Sequence, residues 1–208
     1  MKKIIALTVV ALLILALAGG VTWAYWSDTE ASTDNSLSAG TLDLDVDGGD
    51  IAVTTFSASD KAPGDSGSGS TTLSNSGGSS VTGELDIAFS AITNTGGAGA
   101  TEFEDGSGDL GGVAEIAVYI DVDQSGSWTA GDIGLKSDAT TYNPPTALDY
   151  ATIDSYAGDS WDAVDTLLTS AADDFIILWR IPTTAGNSIQ GDSASFDVAF
   201  ILEQAAAD

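Results

Sequence analysis

Short segments in which apolar and polar residues alternate, separated by clusters of glycine, serine and aspartate, restrict the possible folds of this chain more than any other feature. From Leu42 to Asp47 the chain reads LDLDVD, and from Ser195 to Phe200 it reads SFDVAF. A period of two places successive side chains on opposite faces of a β-strand. Because such segments recur with turn residues between them, the sequence predicts an all-β sandwich rather than a fold of alternating βα units.

Further strands, one helix and two loops are predicted from the rest of the pattern. The additional strands are Ile51–Phe56, Ser70–Ser74, Val81–Ile92, Val113–Asp121, Phe175–Ile181 and Ser193–Glu203. One short helix is expected after Ser160, a suitable N-cap, because apolar residues recur there at helical spacing: Trp161, Val164, Leu167, Leu168 and Ala171. Two Gly-rich stretches, Asp60–Gly69 and Asn94–Gly112, are predicted loops.

The N-terminus has the anatomy of an export signal. A basic start at Met1–Lys3 precedes the apolar stretch Ile4–Ala18, and small residues stand at Thr22 and Ala24. These are the positions three and one before a cleaved bond, so we expect a signal peptide that is removed between Ala24 and Tyr25. The alternative is an uncleaved membrane anchor, because the residues between the basic start and the aromatic pair at 25–26 are uncharged.

The composition excludes most catalytic chemistries. The chain has 208 residues with no histidine and no cysteine, so it lacks an imidazole base, a thiolate nucleophile and the usual ligands of zinc. It carries 31 acidic against 5 basic residues, a net charge of −26, which repels nucleic acids and favours cations as small partners. A hydrophobic content of 43% predicts a folded rather than a disordered chain.

The segment Asp121–Asp132, DVDQSGSWTAGD, has the spacing of a calcium-binding loop. Oxygen-bearing residues occupy positions one, three, five, seven, nine and twelve, with the backbone carbonyl serving at seven and a glycine at six. The predicted ligands are Asp121, Asp123, Ser125, Ser127 (through its carbonyl), Thr129 and Asp132. The segment departs from the EF-hand pattern in its serine at five, its aspartate at twelve and the strand expected before it. The alternative is a metal-free turn in an acidic chain.

Two runs near the N-terminus are distinctive: GVTWAYWSDTE at 20–30 and NSLSAGTLDL at 35–44. Together they resemble the TasA/camelysin family of exported surface proteins, and the later KAPGD at 61–65 resembles a turn of that family. The resemblance implies a jelly-roll-like β-sandwich, removal of the leader by a dedicated signal peptidase, and assembly into fibres of biofilm matrices or into pili like the bundling pili of archaea.

In such fibres, the resemblance also implies, the N-terminal segment of one subunit completes a sheet of the next as a donor strand. Here that segment is 25–39, with Tyr25, Trp26 and Leu37 as the expected anchors. An extended segment added to an open sheet edge gains backbone hydrogen bonds and pockets for its side chains. The alternative is a terminus that is disordered or docked on its own subunit. The expected organisation is therefore a signal peptide at 1–24, a donor segment at 25–39 and a β-sandwich domain at 40–208.

Three functions remain open on this basis. The leading hypothesis is a secreted, non-enzymatic subunit that polymerises into extracellular filaments and binds calcium, with copies of itself and divalent cations as partners and membrane contact only through the uncleaved signal. The alternative is a monomeric calcium-binding adhesin at the cell surface. A carboxylate-based hydrolase at Asp173-Asp174 ranks last because no convergent partner is visible in the sequence. Some camelysin relatives are described as metalloproteases, but without histidine this role does not transfer to the chain.

Overall fold

The computed structural model describes residues 42–47, 53–59, 61–78, 82–96, 110–167, 171–186, 189 and 191–204, with the backbone alone for 53–59. Contacts divide the chain into the units Met1–Ser38 and Ala39–Asp208, and all described residues belong to the second. The predicted signal peptide, the donor segment and its anchors Tyr25, Trp26 and Leu37 lie outside the described residues. Within the described residues, no helix combines the length and apolar character needed to cross a membrane.

Eleven strands in the described part form two antiparallel sheets, which confirms the predicted all-β sandwich. In chain order the elements are β1 Leu44–Val46, β2 Val53–Ser59, β3 Ser66–Asn75, β4 Gly83–Thr95, α1 Leu110–Val113, β5 Glu115–Asp121, β6 Ile133–Leu135, β7 Thr141–Tyr142, β8 Ala151–Thr152, a 3-10 turn Ile153–Tyr156, β9 Ser160–Leu167, β10 Ala172–Arg180 and β11 Ser193–Gln204. The larger sheet has the order β1-β3-β10-β5-β6-β7, with β8 also paired to β5, and the smaller has the order β2-β11-β4-β9.

The core lies between the two sheets and is rich in aromatic rings. In β11 the inward residues Ala194, Phe196, Val198 and Phe200 are buried, as the alternation in the sequence predicts. Phe175 of β10 meets Phe200 of β11 edge to face, with 4.9 Å between ring centroids. Such contacts between inward faces hold the sheets together through burial of apolar area.

The prediction of a helix after Ser160 is wrong, because Ser160–Leu167 is an edge strand paired with β4. Leu85 pairs with Asp165 and Ile87 with Trp161, so β9 has two more residues than β4 between these pairs. The bulge places Ala163 at a φ of 48° and lets its N–H donate to the Asp86 carboxylate at 2.7 Å. The extra residues shift the apolar positions out of the period of two, and the shifted spacing imitates that of a helix.

Of the predicted loop Asp60–Gly69, the structure describes residues 61–69, and the prediction is correct for 61–65. Ser66–Gly69 form the start of β3, where each residue pairs with a residue of β10. A Ser/Gly composition is typical of a loop, but this stretch forms a strand because it pairs with β10, whose apolar residues are buried. In the second predicted loop, Asn94-Thr95 end β4 and Leu110–Gly112 begin α1, the one α-helix of the described part.

Candidate cation site

The loop with calcium-like spacing connects two neighbouring strands of the larger sheet. It starts at Asp121, the last residue of β5, and ends at Asp132, just before β6. Because strands rather than helices flank it, the loop is not an EF-hand, as the sequence predicts. The β5–β6 pairing from Val118↔Leu135 to Ile120↔Ile133 brings the two ends of the loop together.

Three carboxylates of the loop converge on one point. Asp121, Asp123 and Asp132 each offer an oxygen atom, and these atoms lie within 4.8 Å of one another. Asp121 and Asp132 are fully buried, whereas Asp123 is exposed. The structure thus brings together the three predicted ligands that carry charge, and a cation in this group would reduce their mutual repulsion.

Backbone N–H groups fix the first carboxylates in place. Asp121 accepts hydrogen bonds from the N–H of Ser125 at 3.1 Å and of Gly126 at 2.6 Å, and Asp123 accepts a second bond from Ser125 N–H at 3.1 Å. This tight turn needs left-handed backbone at Gln124 and Gly126, with φ of 53° and 71°. Gly126 is therefore suited to position six because glycine adopts this conformation at no steric cost.

The neutral predicted ligands form hydrogen bonds within the loop. The Ser125 hydroxyl donates to the Ser127 carbonyl at 3.1 Å, and the Thr129 hydroxyl donates to Asp123 at 3.3 Å. Thr129 N–H donates to Asp132 Oδ2 at 2.6 Å, but Asp132 Oδ1 is buried and has no hydrogen-bond partner among the described residues. A fully buried carboxylate oxygen without a partner is costly, and a bound cation would satisfy it.

Burial and neighbouring charges shift the pKa values of three side chains at the site. Burial raises the pKa of Asp121, and the charge of Asp132 adds to the effect, while the N–H donors act in the opposite direction. The pKa of Asp123 is lowered, first by its hydrogen bond with Ser125 and then by that with Asp121. Burial and the charges of Asp121 and Asp132 raise the pKa of Tyr119 to about 12. Burial is the largest cause of both upward shifts, and the neighbouring carboxylates add to it, so a bound cation would favour the charged form of Asp121.

Aromatic residues that the sequence analysis did not assign to the site support the loop. Trp128 lies with its ring centroid 5.3 Å from Tyr119 and 5.3 Å from Tyr142, and its indole N–H donates to the Thr146 carbonyl at 2.8 Å. The Asn143 amide donates to the Asp132 carbonyl at 2.8 Å. In the sequence, the only indication of this aromatic support is a tryptophan inside a polar loop. The two tyrosines could not be assigned to the site because only strand pairing brings them next to Trp128.

The donor set determines which metal the site suits. All available side-chain donors are oxygens, which match hard cations such as calcium. Zinc peptidase sites use histidine or cysteine among their protein ligands, and this chain contains neither residue. The carboxylate cluster therefore does not fit a catalytic zinc.

The acidic pair proposed for hydrolase chemistry does not converge. Asp173 is buried, whereas Asp174 lies on the opposite face of β10 and accepts a hydrogen bond from the Thr72 hydroxyl at 2.7 Å. Burial, together with a hydrogen bond to Asp165 and its charge, raises the pKa of Asp173 to about 8. Adjacent strand residues point to opposite faces, so the two carboxyls cannot act on one substrate atom.

The sandwich fold and the carboxylate loop define a β-sandwich protein with a candidate hard-cation site. The family model described as "Camelysin metallo-endopeptidase" matches residues 1–207, and the chain belongs to this family, which is the TasA/camelysin family. A comparison with curated proteins gives no match. Membership supports a location at the cell surface or outside the cell and confirms the resemblance seen in the N-terminal sequence.

Proposed function

We propose that this protein is a secreted structural subunit that polymerises by donor-strand exchange into extracellular filaments. Three features support the proposal: membership of the camelysin family, the donor-like sequence at 25–39, and a sheet edge that the described strands pair only in part. Donation of a strand from each subunit to the next is a head-to-tail contact, which does not close on itself and therefore builds a filament.

The observation that carries the proposal is the short β1. It pairs with only Leu73, Ser74 and Asn75 of the ten-residue β3. The remaining length of β3 has β10 on one side and no strand of the described part on the other. Unpaired N–H and C=O groups at a sheet edge are a template for a strand from another chain.

Electron microscopy of the secreted protein tests this function. We expect regular filaments from the natural chain and none from a variant that lacks residues 25–38. Triple substitution of the anchors Tyr25, Trp26 and Leu37 by serine should also abolish filaments. The matched control replaces Ser32, Thr33 and Ser36 of the same segment by alanine and should still polymerise. A monomeric particle from the natural chain would favour the adhesin alternative instead.

We further propose that calcium occupies the group Asp121, Asp123 and Asp132. The buried Oδ1 of Asp132 supports this, since it has no hydrogen-bond partner among the described residues. Titration with Tb³⁺, a calcium substitute, should give emission sensitised by Trp128 in the same loop, and excess calcium should quench it. Asp132→Asn should abolish the signal, whereas Asp162→Asn, an exposed aspartate in β9, should leave it intact. Equal signals from both variants would refute the site.

A metallo-endopeptidase is the second candidate because the matching family carries that description. The lack of histidine and cysteine in the sequence, together with the all-oxygen donor set of the loop, weighs against it. A protease assay with casein, with and without added zinc, distinguishes the two functions. We expect no metal-dependent cleavage from the purified protein. Cleavage that a chelator removes and that tracks with Asp132→Asn would favour the peptidase.

A further inference from the structure

The open part of β3, Ser66–Ser70, is the least protected backbone edge for which the structure also describes the side chains. All five residues are exposed, and the stretch contains no charge, no proline and no bulge. Natural sheets usually protect such an edge with one of these features, because an exposed edge pairs with other chains. Because the chain has a net charge of −26, an uncharged strip at a sheet edge is a place where a second acidic chain meets less repulsion than elsewhere.

The hydrogen-bond pattern shows which backbone groups face the open side. The Thr72 carbonyl accepts a hydrogen bond from the Asp47 N–H at 2.9 Å, and the Thr72 N–H donates to the Asp47 carboxylate at 2.8 Å. The backbone groups of Thr72 therefore face the side of β1. Backbone direction alternates along a strand. Ser66, Ser68 and Ser70 therefore direct their N–H and C=O groups outward, while Gly67 and Gly69 direct theirs to β10.

The inward face of this stretch lacks side chains. Gly67 and Gly69 continue the inward series that ends at the core residue Leu73. A Cβ at Gly67 would lie 2.7 Å from the Trp179 ring, so that ring covers Gly67 from inside. A Cβ at Gly69 would meet nothing within 4 Å, although its pairing partner Ile177 is in the core. Room for an incoming side chain therefore exists beside Gly69.

Cations lie near the end of the edge where β3 begins. Lys61 Nζ is 5.2 Å from the centroid of the Trp179 ring, and Arg180 pairs with Ser66 in the sheet register. Arg180 also forms a salt bridge with Glu115, and the carboxylate of Asp65, which accepts the Ala62 N–H at 2.8 Å, is the second acid here, so two acids balance the two cations. An acidic strand is thus repelled less here than over the rest of the molecule.

We propose that Ser66–Ser70 is the acceptor edge for residues 25–39 of a second copy of this chain. The incoming strand bonds to the outward backbone groups of Ser66, Ser68 and Ser70, and one of its apolar anchors fills the space beside Gly69. Whichever of its acids, Asp28, Glu30 or Asp34, reaches the end of the edge meets a locally balanced charge there. This proposal rests on donor-strand polymerisation and identifies the surface that receives the strand.

Ser68→Pro tests the proposal because it removes one outward N–H and places a ring on the open edge, while the bonds from β3 to β10 remain. We expect at least about a tenfold loss of sedimentable polymer with an unchanged thermal midpoint and β-sheet circular dichroism signal. Ser68→Thr, which keeps the N–H, is the matched control and should polymerise normally. Gly69→Leu fills the inward space and should also reduce polymer without loss of folding.

Engineered cysteines identify the chain that supplies the strand, since the natural chain has none. Chains carrying Ser68→Cys are mixed with chains that each carry one cysteine within 25–39, and disulfides between chains support the proposal. A disulfide within one chain carrying both cysteines, without any between chains, overturns it in favour of self-docking.

If Ser68→Pro polymerises like the natural chain while deletion of 25–38 prevents filaments, this acceptor edge is wrong and donor-strand exchange stands. Filaments from the deletion variant refute donor-strand exchange itself.

Discussion

At the residue scale, the fold brings together two groups of acidic side chains, of which the sequence reveals only one. Asp121, Asp123 and Asp132 form a cluster that its loop spacing reveals. Asp165 and Asp173 form a hydrogen-bonded pair that only the fold brings together, since they lie on strands of different sheets. The first group could be predicted because its spacing is local. The second could not, because it depends on which strands face each other across the core.

The pKa of Asp173 leads to a prediction for stability as a function of pH. Its folded-state pKa of about 8 lies above the ordinary value of 3.8, so between these values the folded chain holds a proton that the unfolded chain releases. This group therefore stabilises the folded chain fully below pH 3.8, and the stabilisation is lost as pH rises from 3.8 to about 8. The free energy of unfolding falls over this range by up to about 1.4 kcal/mol per pH unit.

Thermal melts from about pH 5 to about pH 9 in the presence of a chelator measure this effect. The variant Asp173→Asn should show a flatter dependence than the natural chain and a higher midpoint above pH 8. The control Asp174→Asn changes the same charge on the opposite face of β10 and should keep the natural slope. Parallel curves for the natural chain and Asp173→Asn would contradict the assignment.

At the scale of the elements, long alternating strands could be predicted and short or irregular ones could not. The segment Ser193–Glu203 coincides with β11 to within one residue because its alternation is uninterrupted. β6, β7 and β8 have only two or three residues each, too few for any period to appear. β9 was predicted as a helix because the bulge at Ala163 interrupts its period.

The bulge in β9 gives a second prediction. Ala163 has a φ of 48°, a left-handed conformation that costs an L-residue roughly 1 kcal/mol and costs glycine little. Ala163→Gly should therefore stabilise the protein, by up to about 1 kcal/mol in chemical denaturation. Ala199→Gly, in β11 where φ is not positive, should instead destabilise it by about 0.5–1 kcal/mol. Equal losses in both variants would show that β9 has no such bulge.

At the scale of the whole molecule, the net charge of −26 opposes the close approach of two copies of the chain. Two of the five basic residues, Lys2 and Lys3, precede the predicted cleavage point and no acid does, so the mature subunit would be still more acidic. Subunits of like charge repel each other over roughly 10 Å at about 0.1 M salt, and more salt shortens this range. Composition alone therefore predicts the charge, whereas the proposed acceptor edge can be located only from the pairing of strands in the fold.

Polymerisation should accelerate as salt is added. We expect the rate, followed by light scattering, to rise between about 10 mM and about 500 mM sodium chloride because the repulsion between subunits is screened. Calcium at a matched ionic strength should increase the rate further, and Asp132→Asn should lose only that additional increase. A rate that falls with sodium chloride would mean that attraction between opposite charges drives assembly instead.

High-resolution electron cryomicroscopy of the secreted filaments tests the central claim most directly. The account predicts density for residues 25–39 of one subunit as an added strand in the larger sheet of the next subunit, beside Ser66–Ser70 of β3. Filaments in which residues 25–39 pack against their own subunit, and in which neighbouring subunits meet without an exchanged strand, would contradict it.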